Sequence, residues 1–353
     1  MTRRLARPQL NWLLIFVPVS LLADLVGHQP EVTFICACLA IVPLAGLIGR
    51  GTDELAIRTG PRVGGLLNAT FGNLTEIIVS ALLILGGQIE VVKASLIGSI
   101  LGNILLVLGA SFFAGGLRRK EQRFSARSTN VHAASLFMAV IGLIMPTIFV
   151  LSGDDTGQQR LLVSGVVSGV LIVVYVAMLV FTLVTHAHLF RATEGSEGRQ
   201  AWPAWQALLL LGVAAVLVGV ESELLTRSLE PTIASFGISP VFIGVVVIAI
   251  IGNAAEHAAA VLFAVRDRIE ISVEIALGSA SQVALLVAPA LVFFSLIVGH
   301  PMDFIFTPLE VGAVALATVI AAVLTLDGRS NWLEGLELMG VYVIVAVSFF
   351  FVM

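Results

Sequence analysis

Two short stretches put acids where acids are costly. "GNLTE" at 72–76 sets Asn73 three residues before Glu76, and "GNAAE" at 252–256 repeats the arrangement with Asn253 and Glu256. Residues three apart share one face of a helix. Both stretches lie inside long apolar runs, where an ionised carboxylate costs roughly several kcal/mol unless a cation or a proton offsets it. A site of two Glu carboxylates, two Asn carbonyls, hydroxyls and main-chain oxygens is made entirely of hard oxygen. That suits calcium, which takes about 6–8 oxygen ligands, better than zinc or copper. The same carboxylates also accept protons. One divalent ion and two protons therefore compete for one pair of negative charges, and such competition is the physical core of an antiporter. Gly72 and Gly252, each beside its Asn, weaken the helix locally and let backbone carbonyls turn toward a ligand.

Further polar groups stand within reach in sequence. Ser99 and Ser279 sit in matching Gly-Ser pairs and read either as site hydroxyls or as close helix packing. Asn103 and Gln282 follow within a turn, and their amides either complete the site or bond between helices. His257, directly after Glu256, is a candidate proton partner or a histidine bonded to a neighbouring helix. Its counterpart is Ile77, so the two half-sites are chemically unequal. Glu274 is a candidate for lining a cytoplasmic access path. Glu90, Glu221, Glu223, Glu270, Asp303 and Glu310 are expected near helix ends, within reach of water or headgroups, and Asp154 and Asp155 in a solvated loop.

The elements that must position these groups follow from composition. The chain has 353 residues, 58% hydrophobic and 12% charged, against about 25% charged in soluble domains, with a mean hydropathy of +1.04. This is an all-α polytopic membrane protein. Spans of about 20 mostly apolar residues fall at 10–27, 30–48, 63–85, 91–114, 131–151, 160–186, 205–222, 239–265, 271–298, 307–326 and 333–352, eleven transmembrane helices. The runs are too long and uniform for barrel strands, and strands are not indicated. The N-terminus, "MTRRLARPQLNWLLIF", mimics a signal peptide but lacks a good cleavage site, and reads as a retained first helix. Of nineteen Lys and Arg, only Lys93, Arg160 and Arg227 fall opposite the N-terminal side. That asymmetry places the N-terminus in the cytoplasm and the C-terminus outside. The basic stretch 115–130 is placed to meet anionic lipid headgroups. Cys36 and Cys38 read as buried thiols that do not pair.

Slid by 180 residues, 72–110 matches 252–290 without a gap: Gly72, Asn73 and Glu76 meet Gly252, Asn253 and Glu256, and Gly98–Ser99 meets Gly278–Ser279. Apolar matches are cheap in a membrane protein, but this polar register is not. Five spans separate the copies. Five is odd, so the copies cross the membrane in opposite senses: two inverted-topology five-helix repeats, at 29–186 and 205–353. Residues 1–28 form an extra N-terminal helix, and 187–204 a cytoplasmic linker. In such folds the ligand site forms near the midplane, where the repeats meet.

With these residues in view, the chain resembles the calcium/cation antiporter superfamily, and within it the calcium/proton exchanger branch. "GNLTEIIVSALLILGGQIEVVKASLIGSILGNILLVLG" is similar to that family's first signature region, and "GNAAEHAAAVLFAVRDRIEISVEIALGSASQ" to its second. The resemblance implies alternating access around one central cation site and a dispensable extra first helix. It implies that Glu76 and Glu256 bind cation and proton in turn, supported by Asn73 and Asn253. Sodium/calcium exchangers of the superfamily usually carry an acid or Asn where this chain has Gln282, which favours protons as counter-ion. The family often has a markedly acidic segment between the halves, whereas 187–204 holds only Glu194 and Glu197.

The reading is thus a calcium/proton antiporter exporting calcium from the cytoplasm, in a prokaryotic plasma membrane by default. It is no enzyme and has no resident cofactor; calcium and protons are its cargo, lipid its surroundings, and nucleic acid no partner. A homo-oligomer stays open. Alternatives are a sodium/calcium exchanger or a passive cation channel. A membrane-embedded hydrolase lacks a His-Glu-x-x-His pattern or a nucleophile beside a base.

Overall fold

The computed structural model describes residues 10–27, 29–153, 156–187 and 202–351. Arg3, Arg4 and Arg7, the Asp154–Asp155 loop and most of the 187–204 linker lie outside the described residues. Eleven apolar helices follow in order: α1 (Leu10–Val26), α2 (Pro30–Thr59), α3 (Val63–Leu85), α4 (Ile89–Gly116), α5 (Ala126–Leu151), α6 (Gly157–Thr185), α7 (Ala204–Phe236), α8 (Pro240–Val265), α9 (Ile269–Ile297), α10 (Pro308–Thr325) and α11 (Trp332–Phe351). Ten are long and apolar enough to cross a membrane. The eleventh, α1, departs from the expected full span: it is shorter, and passes from 3-10 through α to π turns around Pro18.

Two boundaries move outward. Helix α2 runs on to Thr59 instead of 48, and α7 to Phe236 instead of 222. Hydropathy stops at "RGTDEL" and "SELLTRSLE", but the buried helical face does not. Gly51, Thr52 and Leu55 continue it in α2, and Leu225, Ser228, Leu229 and Thr232 in α7. Arg50 and Arg58 therefore sit on a helix, not in a loop. At about 1.5 Å per residue both helices exceed a hydrocarbon core of about 30 Å. They pack against each other antiparallel: a Cβ placed on Gly51, late in α2, would lie 3.2 Å from the Ala207 carbonyl oxygen, early in α7.

The helix pairing is symmetric in kind. Helix α2 packs on α7, α3 on α7 and α8 on α2, α4 on α11 and α9 on α6, and α5 on α10. Exchange α2–α6 for α7–α11 and each pairing maps onto itself or onto another of the set. Helices α4 and α8 approach to backbone contact, because Gly98 faces the Val245 backbone and Gly244 faces Ala94 and the Val91 carbonyl oxygen. Small residues at such crossings let membrane helices pack by contact. The rim carries exposed Leu162, Val166 and Val173 of α6, Leu316 of α10 and Ile344 of α11, a surface suited to lipid.

Contrary to the expectation of no strands, Gln122–Arg123 (β1) pairs antiparallel with Arg329–Ser330 (β2). Two residues per strand are too few to leave an alternating pattern in sequence. Cys36 and Cys38 are both free and buried.

Candidate functional site

The two copies of Gly-Asn-x-x-Glu have different backbones. In α3 the helix ends at Phe71 and restarts at Leu74. Asn73 sits in the break with φ −95° and ψ 17°, as N-cap of the second segment, and Glu76 lies in its first turn. In α8 the helix runs unbroken from Ala249 through Gly252 and Asn253 to Val265, and the irregularity is a π turn at Ile243–Ile248. The expected loosening beside glycine thus occurs at Gly72 and not at Gly252. Tyr175 of α6 holds the turn before the α3 break, donating its hydroxyl to the Ala69 carbonyl oxygen at 3.2 Å.

The carboxylates cross over. A Cβ placed on Gly252 would lie 3.5 Å from Glu76 Cγ and 3.9 Å from its Cδ. One placed on Gly72 would lie 3.7 Å from Glu256 Oε1. Each acid therefore lies against the glycine of the other copy. Glu76 is buried, whereas Glu256 is half-buried, as is the small-residue run Ala254–Ala259 around it.

The amides converge on the same place. Asn73 Nδ2 donates to Gln282 Oε1 at 2.6 Å, Asn253 Nδ2 to Ser99 Oγ at 3.2 Å, and Asn103 Nδ2 to Ser279 Oγ at 3.1 Å. Each Asn spends its N–H group on a neighbouring helix, which turns its oxygen the other way. Oδ1 of Asn73, Asn103 and Asn253 and Oε2 of Glu76 and Glu256 are buried with no hydrogen-bond partner. Five such oxygens are unusual, since buried polar atoms are nearly always paired. They match the appetite of a hard cation. Among the described residues no three His, Cys, Asp or Glu cluster as metal ligands, so amides and hydroxyls must supplement the acidic pair.

Every sequence-derived site residue except His257 joins this assembly. His257 turns toward α4, with Cε1 3.9 Å from a Cβ placed on Gly102 and Nε2 buried and unpartnered. Glu274 is half-buried near the start of α9. Glu221 corrects the expectation of a helix-end acid. It is wholly buried inside the lengthened α7, where Oε1 accepts from Ser20 of α1 at 3.0 Å. Glu310 lies in the first turn of α10 as expected, but buried, in a capping box with Thr307. Lys93 and Asp303 pair at 2.8 Å. Sequence reasoning missed Tyr175, which sits in an apolar run 106 residues from the carbonyl it holds and leaves no local cue.

Comparison with known proteins shows the family. The profile of the family described as sodium/calcium exchanger protein matches residues 31–184 and 206–351. A Ca(2+)/H(+) antiporter of Aphanothece halophytica is 42% identical, covering 96% of this chain and 95% of that one. The Ca(2+)/H(+) antiporter ChaA of Bacillus subtilis (strain 168) is 39% identical over 95% and 96%. The solved structure of native YfkE superposes with a TM-score of 0.85 at 36% identity, covering 97% of this chain and 100% of that one. The H+/Ca2+ exchanger CAX shares the fold, with a TM-score of 0.74 at 16% identity over 97% and 91%. This chain belongs to the sodium/calcium exchanger family, in its calcium/proton antiporter branch.

Proposed function

We propose that this protein exports Ca2+ from the cytoplasm in exchange for H+, with Glu76 and Glu256 binding cation and proton in turn. The observation that carries this reading is the set of five buried, unpartnered oxygens from both halves, three of them amide oxygens and two belonging to the crossed carboxylates. Empty of cation, the pair cannot keep both negative charges in a dehydrated pocket. Protons must then replace the ion, and the exchange is coupled. Gly72, Gly252, Asn73, Asn253, Asn103, Ser99, Ser279 and Gln282 hold or orient the ligand oxygens. His257, directly after Glu256 and turned toward Gly102 of α4, is the candidate partner in proton coupling.

The transport pathway follows from an inverted repeat of 29–186 and 205–353 about the site, with α1 outside it. The symmetric helix pairing and the two family matches at nearly these bounds support that division. Access from the cytoplasmic ends of α8 and α9 is supported by Glu256, Ala258, Ala259 and Glu274, which are half-buried while Glu76 is buried. The N-terminus faces the cytoplasm of a prokaryotic cell and the C-terminus the outside. The relatives named Ca(2+)/H(+) antiporter support the choice of cargo.

Inside-out vesicles test the reading. Calcium uptake must follow an imposed pH gradient, ignore sodium, and disappear in Glu76→Gln and Glu256→Gln. Uptake that follows sodium and ignores pH would sink proton coupling. Uptake that survives both substitutions would sink the assignment of the acids. Purified wild-type protein must also release protons on calcium addition, and Glu256→Gln must release fewer.

A further inference from the structure

We infer that the end of α4 and the start of α11 form a binding site for an anionic phospholipid. A surface pocket of about 720 Å³ lies there, lined by Phe113, Leu117, Arg118, Arg119, Lys120 and Trp332. That is within the range of about 300–1,000 Å³ typical of small-molecule sites. Its chemistry is split in two. Leu117 and Trp332 are exposed apolar side chains, 64% and 46% accessible. Arg118 and Lys120 are exposed cations.

Charge accounting separates the cations. Arg119 is held by Asp267, at 3.1 Å, just past the end of α8. The nearby acid Glu121 is engaged by Arg123 at 3.3 Å and by Arg329 at 3.4 Å. Arg118 and Lys120 have no acidic partner among the described residues. Two uncompensated cations at a helix end, beside an interfacial Trp, are what an anionic headgroup at the membrane surface requires. The apolar part continues down the exposed face of α11 through Leu333 and Leu336, a track for an acyl chain. A free phosphate would use the cations and leave that track uncovered, so lipid fits the whole surface better.

Trp332 reports on the site directly. In a Trp12→Phe, Trp202→Phe, Trp205→Phe background, phosphatidylglycerol with brominated chains must quench Trp332 at lower mole fraction than brominated phosphatidylcholine. Each basic side chain near an anionic surface contributes about fivefold. Arg118→Gln with Lys120→Gln must therefore weaken the phosphatidylglycerol response about 25-fold, toward that of phosphatidylcholine. The charge-matched pair Arg58→Gln with Arg127→Gln must keep the wild-type preference. Equal quenching by both lipids overturns the inference, as does an equal loss in the control pair. Displacement of the lipid by inorganic phosphate at equal molarity overturns the assignment to lipid. If the pocket variant does not fold, the two-lipid comparison and phosphate competition on the parent protein still decide.

Discussion

Gln282 separates positioning from ligation. Its Oε1 accepts from Asn73 Nδ2 at 2.6 Å, and Asn73 Oδ1 is buried without a partner. Gln282→Leu keeps the volume near enough but removes the acceptor. The Asn73 N–H group is then left unpaired, at about 1–3 kcal/mol, or the amide flips and points its hydrogens where a cation belongs. Either outcome penalises the calcium-bound state by that amount, equivalent to about 5- to 150-fold in affinity. Gln282→Glu behaves differently, because a carboxylate still accepts from Asn73 and holds its oxygen toward the site. The assay is calcium uptake into inside-out vesicles under a fixed pH gradient, read as KM and kcat separately, with calcorimetric binding to purified protein as the second measurement. The Leu variant should raise KM within the stated range, and the Glu variant should recover most of that loss. Wild-type affinity in the Leu variant, or equal damage in both, would refute the orienting role.

Four further outcomes follow from single contacts. Gly72→Ala should lower thermal stability and transport together, since its Cβ would stand 2.6 Å from the Asn68 carbonyl oxygen. Gly252→Ala, with 3.5 Å to Glu76, should keep its melting temperature and lose calcium affinity, so an intact affinity there would count against a cation beside Glu76. Tyr175→Phe removes the bond to Ala69 and should cost about 1 kcal/mol, read as a lower Tm with transport reduced and not abolished. Ser20→Ala should destabilise by about 1–3 kcal/mol, because it strips the bond from the buried carboxyl of Glu221, and Glu221→Leu combined with it should restore Tm; an unchanged Tm in Ser20→Ala would leave α1 as dispensable as the family resemblance implies.

How much of this was legible in the sequence depends on what kind of signal each feature leaves. The acids and their Asn partners were visible, because a Glu in an apolar run has few reasons to be there and a repeated one has fewer. Span positions were legible wherever solvent changes abruptly at the helix end, as at Val63–Leu85. They failed for α2 and α7, where the helix outlasts the apolar run and is kept by packing against a partner helix that no local window contains. Glu221 was misplaced for that reason: its burial depends on the extra length of α7 and on a serine 201 residues away. The crossing of each carboxylate to the other copy's glycine was not legible either, since repeat matching pairs like with like and says nothing of which residue meets which in space. Nor was the direction of each amide. Only the neighbours Ser99, Ser279 and Gln282 fix which end of an Asn faces inward, and the sequence offered those residues with packing as an equal explanation.

The two motifs carry the same Gly-Asn-x-x-Glu and stand in different backbones, and that difference bears on mechanism more than the likeness does. The motifs differ between their shared positions, Leu-Thr in one and the better helix formers Ala-Ala in the other, so the break at Gly72–Asn73 and the continuous helix at Gly252–Asn253 are set by local preference and surroundings together. Both backbones are accessible to the motif at modest cost, since glycine gives up about 1 kcal/mol in a helix interior. On the proposed exchange, a duplicated element able to adopt either form, held in one form on each side, would act as a two-state device biased by what fills the space between the copies. Cation and protons make different demands there: the cation draws both carboxylates and the amide oxygens onto one point, whereas protonated acids need no common centre. A ligand shifts such an equilibrium only by its differential affinity for the two states. The crossed carboxylates supply that difference, because each acid rests on the glycine whose backbone distinguishes the states.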